Sequence, residues 1–441
     1  MKIFLKAASS LKGEAVILGD KSIAHRAVIL SALARGKTVI KNFPPNDDCS
    51  ATVNVFKKLG VKIISRPKEA VVFGVGLRGL KKPAKPVFVD NSGTTLRIVL
   101  GVLAGQDFKV VLTAARGLSK RPMARVILPL RRMGAQIKGR QALRDEYPPL
   151  VIHGGNLKAV TYKMPMASAQ VKSAILLAGL YASGRTAVIE KLKTRDHTER
   201  MLKIFGADIR PVGNKISITG KGDLVSPREI RVPGDISSAA FFLVLGAICP
   251  KARIILKNIS LNPRRAGVLR ALEQMQADIF IQENKSPSKF EPMGDIIVKS
   301  SKLKRIIVKK EQVPALIDEL PVLMVAACFA QGVSRFEAVE ELRVKETDRI
   351  KSMQYNLSKM GADIQVFSGS GNQQNVVIRG TGGLSGAKVK SFGDHRTAMS
   401  MVVAGLAARG STQIDDITCI NKSFPGFMEV IKDLRRRGRF S

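Results

Sequence analysis

The segment VILGDKSIAHRAVIL (residues 16–30) sets Gly19, Asp20, Lys21 and Ser22 directly ahead of an apolar helical run, with Arg26 one turn further in. A Gly followed by Lys-Ser at a helix start is the material of a phosphate cradle, because free N–H groups and the positive end of the helix dipole attract anions. The nucleotide-binding P-loop requires G-x-x-x-x-G-K-[ST]. Here Gly13 lies one residue too far upstream and Asp20 separates Gly19 from Lys21. The segment is not a P-loop, but it keeps the parts of an anion site.

Five further helix starts share its character: DNSGTTLR (90–97), MASAQVKS (166–173), PGDISSAA (233–240), IDELPVLM (317–324) and GDHRTAMS (393–400). Each places small or hydrogen-bonding residues at the tip of a helix whose body is Leu, Val, Ile, Ala and Gly. Bodies apolar all round belong in a core, and their free N–H groups then emerge at the tips. Ordinary N-capping by Ser, Asp or Asn would account for any single tip. The cations nearby argue for more: Lys21, Arg26, Arg97, Arg121, Arg195, Lys345, Arg349, Arg396 and Lys422. A cation at a helix start is unfavourable unless an anion is shared with the dipole. The combination calls for a multiply charged ligand that is not a nucleotide.

Two carboxylates stand among these cations. Asp318 precedes Pro321, which is expected to break a helix, and Glu346 lies three residues before Arg349, on one face of an expected helical turn. Surrounded by cations, both should be ionised and available as bases. An N-cap role for Asp318 and an exposed ion pair for Glu346 are the plainer alternatives. His197 and His395 read as structural, His395 being the more suggestive because it sits between Asp394 and Arg396.

The elements that must position these groups announce themselves by repetition. A phrase ending a helix at Gly before a strand occurs as FKKLGVKI (56–63), LRRMGAQI (130–137), LKIFGADI (202–209), LEQMQADI (272–279) and LSKMGADI (357–364), with a frayed sixth copy, LRRRGRFS (434–441). In the fourth copy Gln276 stands where the others have Gly. A second phrase alternates with the first, ending an apolar helix at a turn residue before a β-branched strand, as in ALARGKTVIKN and GLYASGRTAVIE. Together they predict six α/β units, arranged as two domains of three.

Composition bounds the partners. A chain of 441 residues that is 45% hydrophobic can fill such cores, and with 5% aromatics and no Trp they must be aliphatic. The net charge of +38 invites anionic partners. Yet the longest basic run is Arg435-Arg436-Arg437 and no aromatic-basic interleaving occurs, so a solvated basic surface is expected and no specific nucleic-acid partner. Cys49, Cys249, Cys328 and Cys419 stand far apart, which fits free thiols in a cytoplasmic protein and offers no zinc site. MKIFLKAASS is too short an apolar run for a signal peptide, and no stretch is long enough to span a membrane.

Ten segments, in order, resemble the 5-enolpyruvylshikimate-3-phosphate synthase family: GDKSIAHRAVILSALARG, NSGTTLR, RPMARVILPLRRMGA, ASAQVKSAILLAGLYA, RDHTERML, VPGDISSAAFFLV, DELPVLMVAA, EELRVKETDRI, GDHRTAMSMVVAGLA and SFPGF. NSGTT, SAQVKSA and RDHTERM are similar to its bacterial, class II-like branch. The resemblance covers essentially the whole chain. It implies an α/β, two-lobed enolpyruvyl transferase fold, an inside-out α/β barrel of six βαβαββ-type units. One lobe would span 21–229 and the other 1–20 plus 230–441, joined by two hinge crossovers and closing on substrate. It also implies transfer of the enolpyruvyl group of phosphoenolpyruvate to the 5-hydroxyl of shikimate 3-phosphate, in a monomer with no cofactor and no metal. Glyphosate would mimic phosphoenolpyruvate.

Carried over motif by motif, the resemblance assigns Lys21, Ser22, Arg26, Ser168, Ala169, Gln170, Arg195, Asp318 and Lys345 to shikimate 3-phosphate. It assigns Lys21, Gly93, Arg121, Gln170, Arg349, Arg396 and Lys422 to phosphoenolpyruvate. Asp318 would take the 5-hydroxyl proton, Glu346 would give and remove the methylene proton, and Lys21 would assist. Gly93 would leave room for close approach of the donor. Leu18 departs from the family's usual Pro, which should loosen the turn that aims Lys21, and Ala24 lacks a hydroxyl often found there. The related UDP-N-acetylglucosamine 1-carboxyvinyltransferases normally carry a reactive Cys before the Arg-Pro motif; TAARGLSKRP (113–122) has none. A basic nucleic-acid-binding protein on the same fold is the alternative of another class.

Overall fold

The repeated helix-Gly-strand phrase takes one backbone form in five places. In a computed structural model describing residues 1–142, 145–284, 290–369 and 373–439, helices Asp47–Lys58, Ala124–Arg132, His197–Ile204, Gly267–Gln274 and Arg349–Lys359 each end two residues before the Gly position. Gly60, Gly134, Gly206 and Gly361 there have φ between +84° and +109°. In every copy the next residue closes a six-residue C-cap, as where Val61 N–H donates to the Phe56 carbonyl at 3.0 Å and Ala277 N–H to Leu272 at 2.9 Å. Gln276 adopts the same left-handed form at φ +61°, at a cost of about 1 kcal/mol that glycine avoids.

The sixth copy behaves differently. Helix Phe427–Arg439 continues through Gly438, so that glycine ends no helix; no strand follows among the described residues. The missing strand comes from the other end of the chain: Ile3–Lys6 pairs antiparallel with Ser411–Ile414.

Among the described residues the strands form six small sheets of one design. In each, the strand that follows the core helix pairs in parallel with one neighbour and antiparallel with another, as Arg35–Lys41 does with Glu229–Arg231 and Glu69–Val75. Five sheets have four strands and the sixth, completed by the N-terminal strand, has three. The fourth unit borrows its parallel neighbour, Lys12–Ala15, from near the N-terminus. These borrowings give the fold its two-unit division. One unit comprises Met1–Leu18, Pro233–Pro287 and Pro292–Ser441; the other comprises Gly19–Val232 and Ser288–Glu291.

Each unit has its own aliphatic core around three of the apolar helices. Lys21–Leu33, Gly93–Leu103 and Ala169–Gly179 serve one, and Ile236–Ile248, Leu320–Phe329 and His395–Ala407 the other. All six bodies are buried, as their uniformly apolar sequences require. Phe241, Phe242, Phe424 and Phe427 pack edge to face at 5.3–6.0 Å between ring centroids, fixing the SFPGF segment against a core helix. Among the described residues no single helix is long and apolar enough to cross a membrane. The four cysteines are free thiols.

Candidate active site

All six polar tips are helix starts, and five are capped by a side chain: Asp20, Ser92, Ser168, Asp235 and Asp394 each accept an N–H from the first turn. The sixth helix opens at Leu320 with Pro321 in its first turn, where a missing N–H costs nothing. Pro321 therefore starts this helix rather than breaking one. Its N-cap is Glu319, not Asp318, and Glu319 makes no capping bond.

In the Gly19–Val232 unit the tips are knitted together by neutral oxygens. Arg26, buried, donates Nε to Thr198 Oγ1 (2.6 Å), Nη1 to the Ser22 carbonyl (2.8 Å) and Nη2 to Ser173 Oγ (2.8 Å). Ser173 in turn donates to the Ala169 carbonyl, and Arg195 reaches Ser22 Oγ at 3.4 Å. Burial drives the Arg26 pKa down to about 10. His25, beside it, bonds Thr52 Oγ1 at 2.6 Å and is held neutral, its pKa lowered to about 3 chiefly by burial. Lys21 opens the helix with Nζ 2.7 Å from Asp48. The turn before it is held without a proline, because Asp20 accepts from Ile23 N–H at 2.9 Å and a Cβ on Gly19 would stand 2.0 Å from the Asn42 carbonyl.

A second group adjoins the Gly93 tip. Gln170 accepts from Arg97 Nη1 at 3.1 Å and donates to Thr94 Oγ1 at 2.9 Å. A Cβ on Gly93 would lie 2.9 Å from Arg97 Nη1 and 3.0 Å from Arg121 Nη1, so glycine here is what lets two guanidinium groups approach the helix start. Beneath Ala169 and Gln170, fully buried Lys172 lies 3.1 Å from Glu190 and 2.6 Å from Glu199. Burial raises the Glu199 pKa against the pull of Lys172.

In the other unit the cations sit on carboxylates. Arg349, buried at the first position of its helix, bonds Asp394 through Nε (2.8 Å) and Glu346 through Nη2 (2.6 Å), with Nη1 3.7 Å from Asp318. Burial opposes its charge, but Asp394, Glu346 and Asp318 outweigh burial and raise its pKa. Arg396 donates Nη1 to the Asp318 carbonyl at 3.0 Å, with Nε 3.7 Å from the carboxylate. Lys422, at the end of a 3-10 turn Thr418–Lys422, lies 4.0 Å from Glu346. Lys345 pairs with Glu341 at 3.1 Å, and burial lowers its pKa against the pull of Glu341 and Asp318.

Asp318, Lys345, Glu346, Arg349, Arg396 and Lys422 thus gather in one unit, while Lys21, Ser22, Arg26, Gly93, Arg121, Ser168, Ala169, Gln170 and Arg195 lie in the other. Glu346 reaches Arg349 otherwise than the spacing predicts. It lies in a bend after the 3-10 turn Glu340–Val344, and the helix begins only at Arg349. The pair is made by a loop folding back, not by one face of a helix. His197 is buried against Glu291 at 2.6 Å, and His395 is the buried first residue of its helix. Sequence reasoning passed over Asp48, Glu341 and the buried groups Lys172, Glu190, Glu199, Arg265 and Glu319. Only Glu319 and Lys172, inside the quoted IDELPVLM and MASAQVKS tips, carried a signal that could have found them.

The sequence model of the family described as EPSP synthase (3-phosphoshikimate 1-carboxyvinyltransferase) matches residues 5–431. A 3-phosphoshikimate 1-carboxyvinyltransferase of Shouchella clausii is 47% identical over 435 residues, covering 99% of each chain. One from Geobacillus kaustophilus is 46% identical over 428 residues, 97% of this chain and 98% of its own. The solved EPSP synthase of Acinetobacter baumannii superposes with a TM-score of 0.86 at 42% identity, covering 98% of both chains.

Proposed function

The chain belongs to the EPSP synthase family and carries out its reaction, transfer of the enolpyruvyl group of phosphoenolpyruvate to shikimate 3-phosphate with release of phosphate; on that premise we propose how its residues divide the work. Ser22, Arg26, Ser168, Ala169, Gln170 and Arg195 hold shikimate 3-phosphate, with Lys21, Asp318 and Lys345. Lys21, Gly93, Arg121, Gln170, Arg349, Arg396 and Lys422 hold phosphoenolpyruvate. No metal or cofactor takes part, and the working form is a cytoplasmic monomer.

Asp318 takes the proton of the 5-hydroxyl, whose oxygen attacks C2 of phosphoenolpyruvate while Glu346, entering the cycle protonated, gives that proton to the methylene carbon. The product is a tetrahedral adduct bearing both carboxylate and phosphate. In the second half Glu346 takes a proton back from the new methyl group, the C–O bond to phosphate breaks, and phosphate leaves with the proton that Asp318 had taken. Guanidinium groups fixed before the reaction stabilise the departing charge without reorganising. Lys21 Nζ assists both proton transfers. Holding two substrates in register supplies up to about 7–11 kcal/mol in well-oriented systems.

The observation that supports this reading most is the arrangement around Arg349. It lies against both proposed bases, and its Nη1 is buried with no hydrogen-bond partner among the described residues. A buried donor left open in this way suits an anionic ligand. A coupled phosphate-release assay on the parent, Glu346→Ala and Lys21→Ala tests the assignment. Both variants should lose turnover, and Glu346→Ala should still bind shikimate 3-phosphate. A parental rate in Glu346→Ala would remove the proposed proton donor.

A further inference from the structure

We propose that Arg265 is a positioning residue for the phosphoenolpyruvate site: its guanidinium occupies the Glu319 carboxylate and so keeps Arg396 directed at Asp318 and at substrate. The inference rests on the roles given above to Asp318 and Arg396. Arg265 and Glu319 are both buried, 2% and 0% exposed. Arg265 Nη1 lies 2.9 Å from Glu319 Oε1, and its Nη2 donates to Ser237 Oγ and stands 3.5 Å from Asp235. Ser237 Oγ also donates to Glu319. Asp235 and Ser237 open helix Ile236–Ile248, and Glu319 precedes helix Leu320–Phe329. One guanidinium therefore ties two helix tips together.

The third tip of this unit supplies Arg396, whose Nη1 lies 4.0 Å from the same Glu319 Oε1. Arg396 instead donates to the Asp318 carbonyl at 3.0 Å. Glu319 Oε2 is buried and accepts no hydrogen bond from a described residue. Glu319 is thus a buried carboxylate with two arginines in reach and one oxygen unsatisfied. A buried charge stripped of its partner is costly, and a second cation within reach relieves that cost. Without Arg265 that cation is Arg396, and its guanidinium would be spent on Glu319 instead of on substrate.

The test is steady-state kinetics by phosphate release on Arg265→Met, Glu319→Gln and the double variant, with KM determined for each substrate separately. Arg265→Met should raise KM for phosphoenolpyruvate about tenfold and change KM for shikimate 3-phosphate less than about twofold. The double variant should return the phosphoenolpyruvate KM close to the parent, because no carboxylate remains to capture Arg396. Lost packing alone would persist in the double variant, so rescue separates positioning from simple support. An unchanged phosphoenolpyruvate KM in Arg265→Met, or an equal rise in the double variant, overturns the proposal. If Arg265→Met does not fold, Arg265→Lys replaces it, since one ammonium cannot serve Glu319, Ser237 and Asp235 together; a smaller rise with the same rescue is expected, and no rise overturns the proposal. Asp318→Asn in the same assay keeps the two readings apart. A parental rate there defeats the site assignment, whereas lost turnover with an unchanged Arg265→Met defeats only the positioning role.

Discussion

Arg26 and Arg349 are both buried arginines near a helix start, and their surroundings move them in opposite directions. Arg26 donates to the neutral oxygens of Thr198, Ser22 and Ser173, and burial lowers its pKa to about 10. Arg349 meets Asp394, Glu346 and Asp318, which raise its pKa in spite of burial. The same residue type on the same repeated scaffold is thus used in two ways. Around Arg26 the protein holds a charge whose bonded partners carry none, which is what the proposed shikimate 3-phosphate site requires. Around Arg349 three carboxylates share the charge, including both proposed bases, and the buried Nη1 alone keeps a donor open.

That contrast can be broken at four points. The largest effect should come from Glu346→Gln, which keeps the shape beside Arg349 and removes the proposed proton donor. The phosphate-release rate should fall by about 10²- to 10⁴-fold, with calorimetric binding of shikimate 3-phosphate unchanged. Next, Arg349→Met removes the cation that three carboxylates share, leaves buried Asp394 without an ion pair among the described residues, and should lower unfolding free energy by about 3–5 kcal/mol. Arg26→Met leaves only hydroxyls and a carbonyl and should lose less than about 2 kcal/mol. Urea midpoints on the two variants compare them directly.

Acid supplies the third probe, through His25 next to Arg26. Its folded pKa is about 3 against 6.5 for the free side chain. Between those values the unfolded chain binds a proton that the folded chain refuses. The stability conferred by the neutral ring is therefore complete above 6.5 and is lost as pH falls toward 3. From pH 7 to 4.5 the loss should be about 2–3 kcal/mol, and His25→Gln should lose that much less over the same interval. The smallest effect belongs to Gly93→Ala. Its Cβ would press on Arg97 and Arg121, whose guanidinium ends must shift, and KM for phosphoenolpyruvate should rise by about three- to tenfold.

Much of this was legible along the chain because helix tips write themselves locally. The cap residue, the first turn and the apolar body are contiguous, so GDKS, NSGTT and GDHR announce a helix start without any knowledge of the fold. The turn glycines are equally local, and Gln276 kept the left-handed backbone because the cap bond from Ala277 demands it. What stayed hidden depends on contacts between distant segments. Arg265 and Glu319 are 54 positions apart, and no periodicity joins them. Lys172 looks like one more polar residue in SAQVKSA until folding seals it between Glu190 and Glu199. The spacing of Glu346 and Arg349 gave the right pair for the wrong reason, because three residues can be closed by a bend as well as by a helix. Gly438 looked like a cap, but helix Phe427–Arg439 runs on through it; the antiparallel strand its copy calls for is supplied by Ile3–Lys6.

On the proposed division of labour Arg26 serves shikimate 3-phosphate, whereas Arg349 answers to the protein's own carboxylates and, through its open Nη1, to phosphoenolpyruvate. Calorimetric titration of shikimate 3-phosphate, without phosphoenolpyruvate, into Arg26→Met and Arg349→Met separates the two roles. Arg26→Met should lose measurable binding while Arg349→Met binds with nearly parental affinity. Parental binding by Arg26→Met together with lost binding by a folded Arg349→Met would contradict that division.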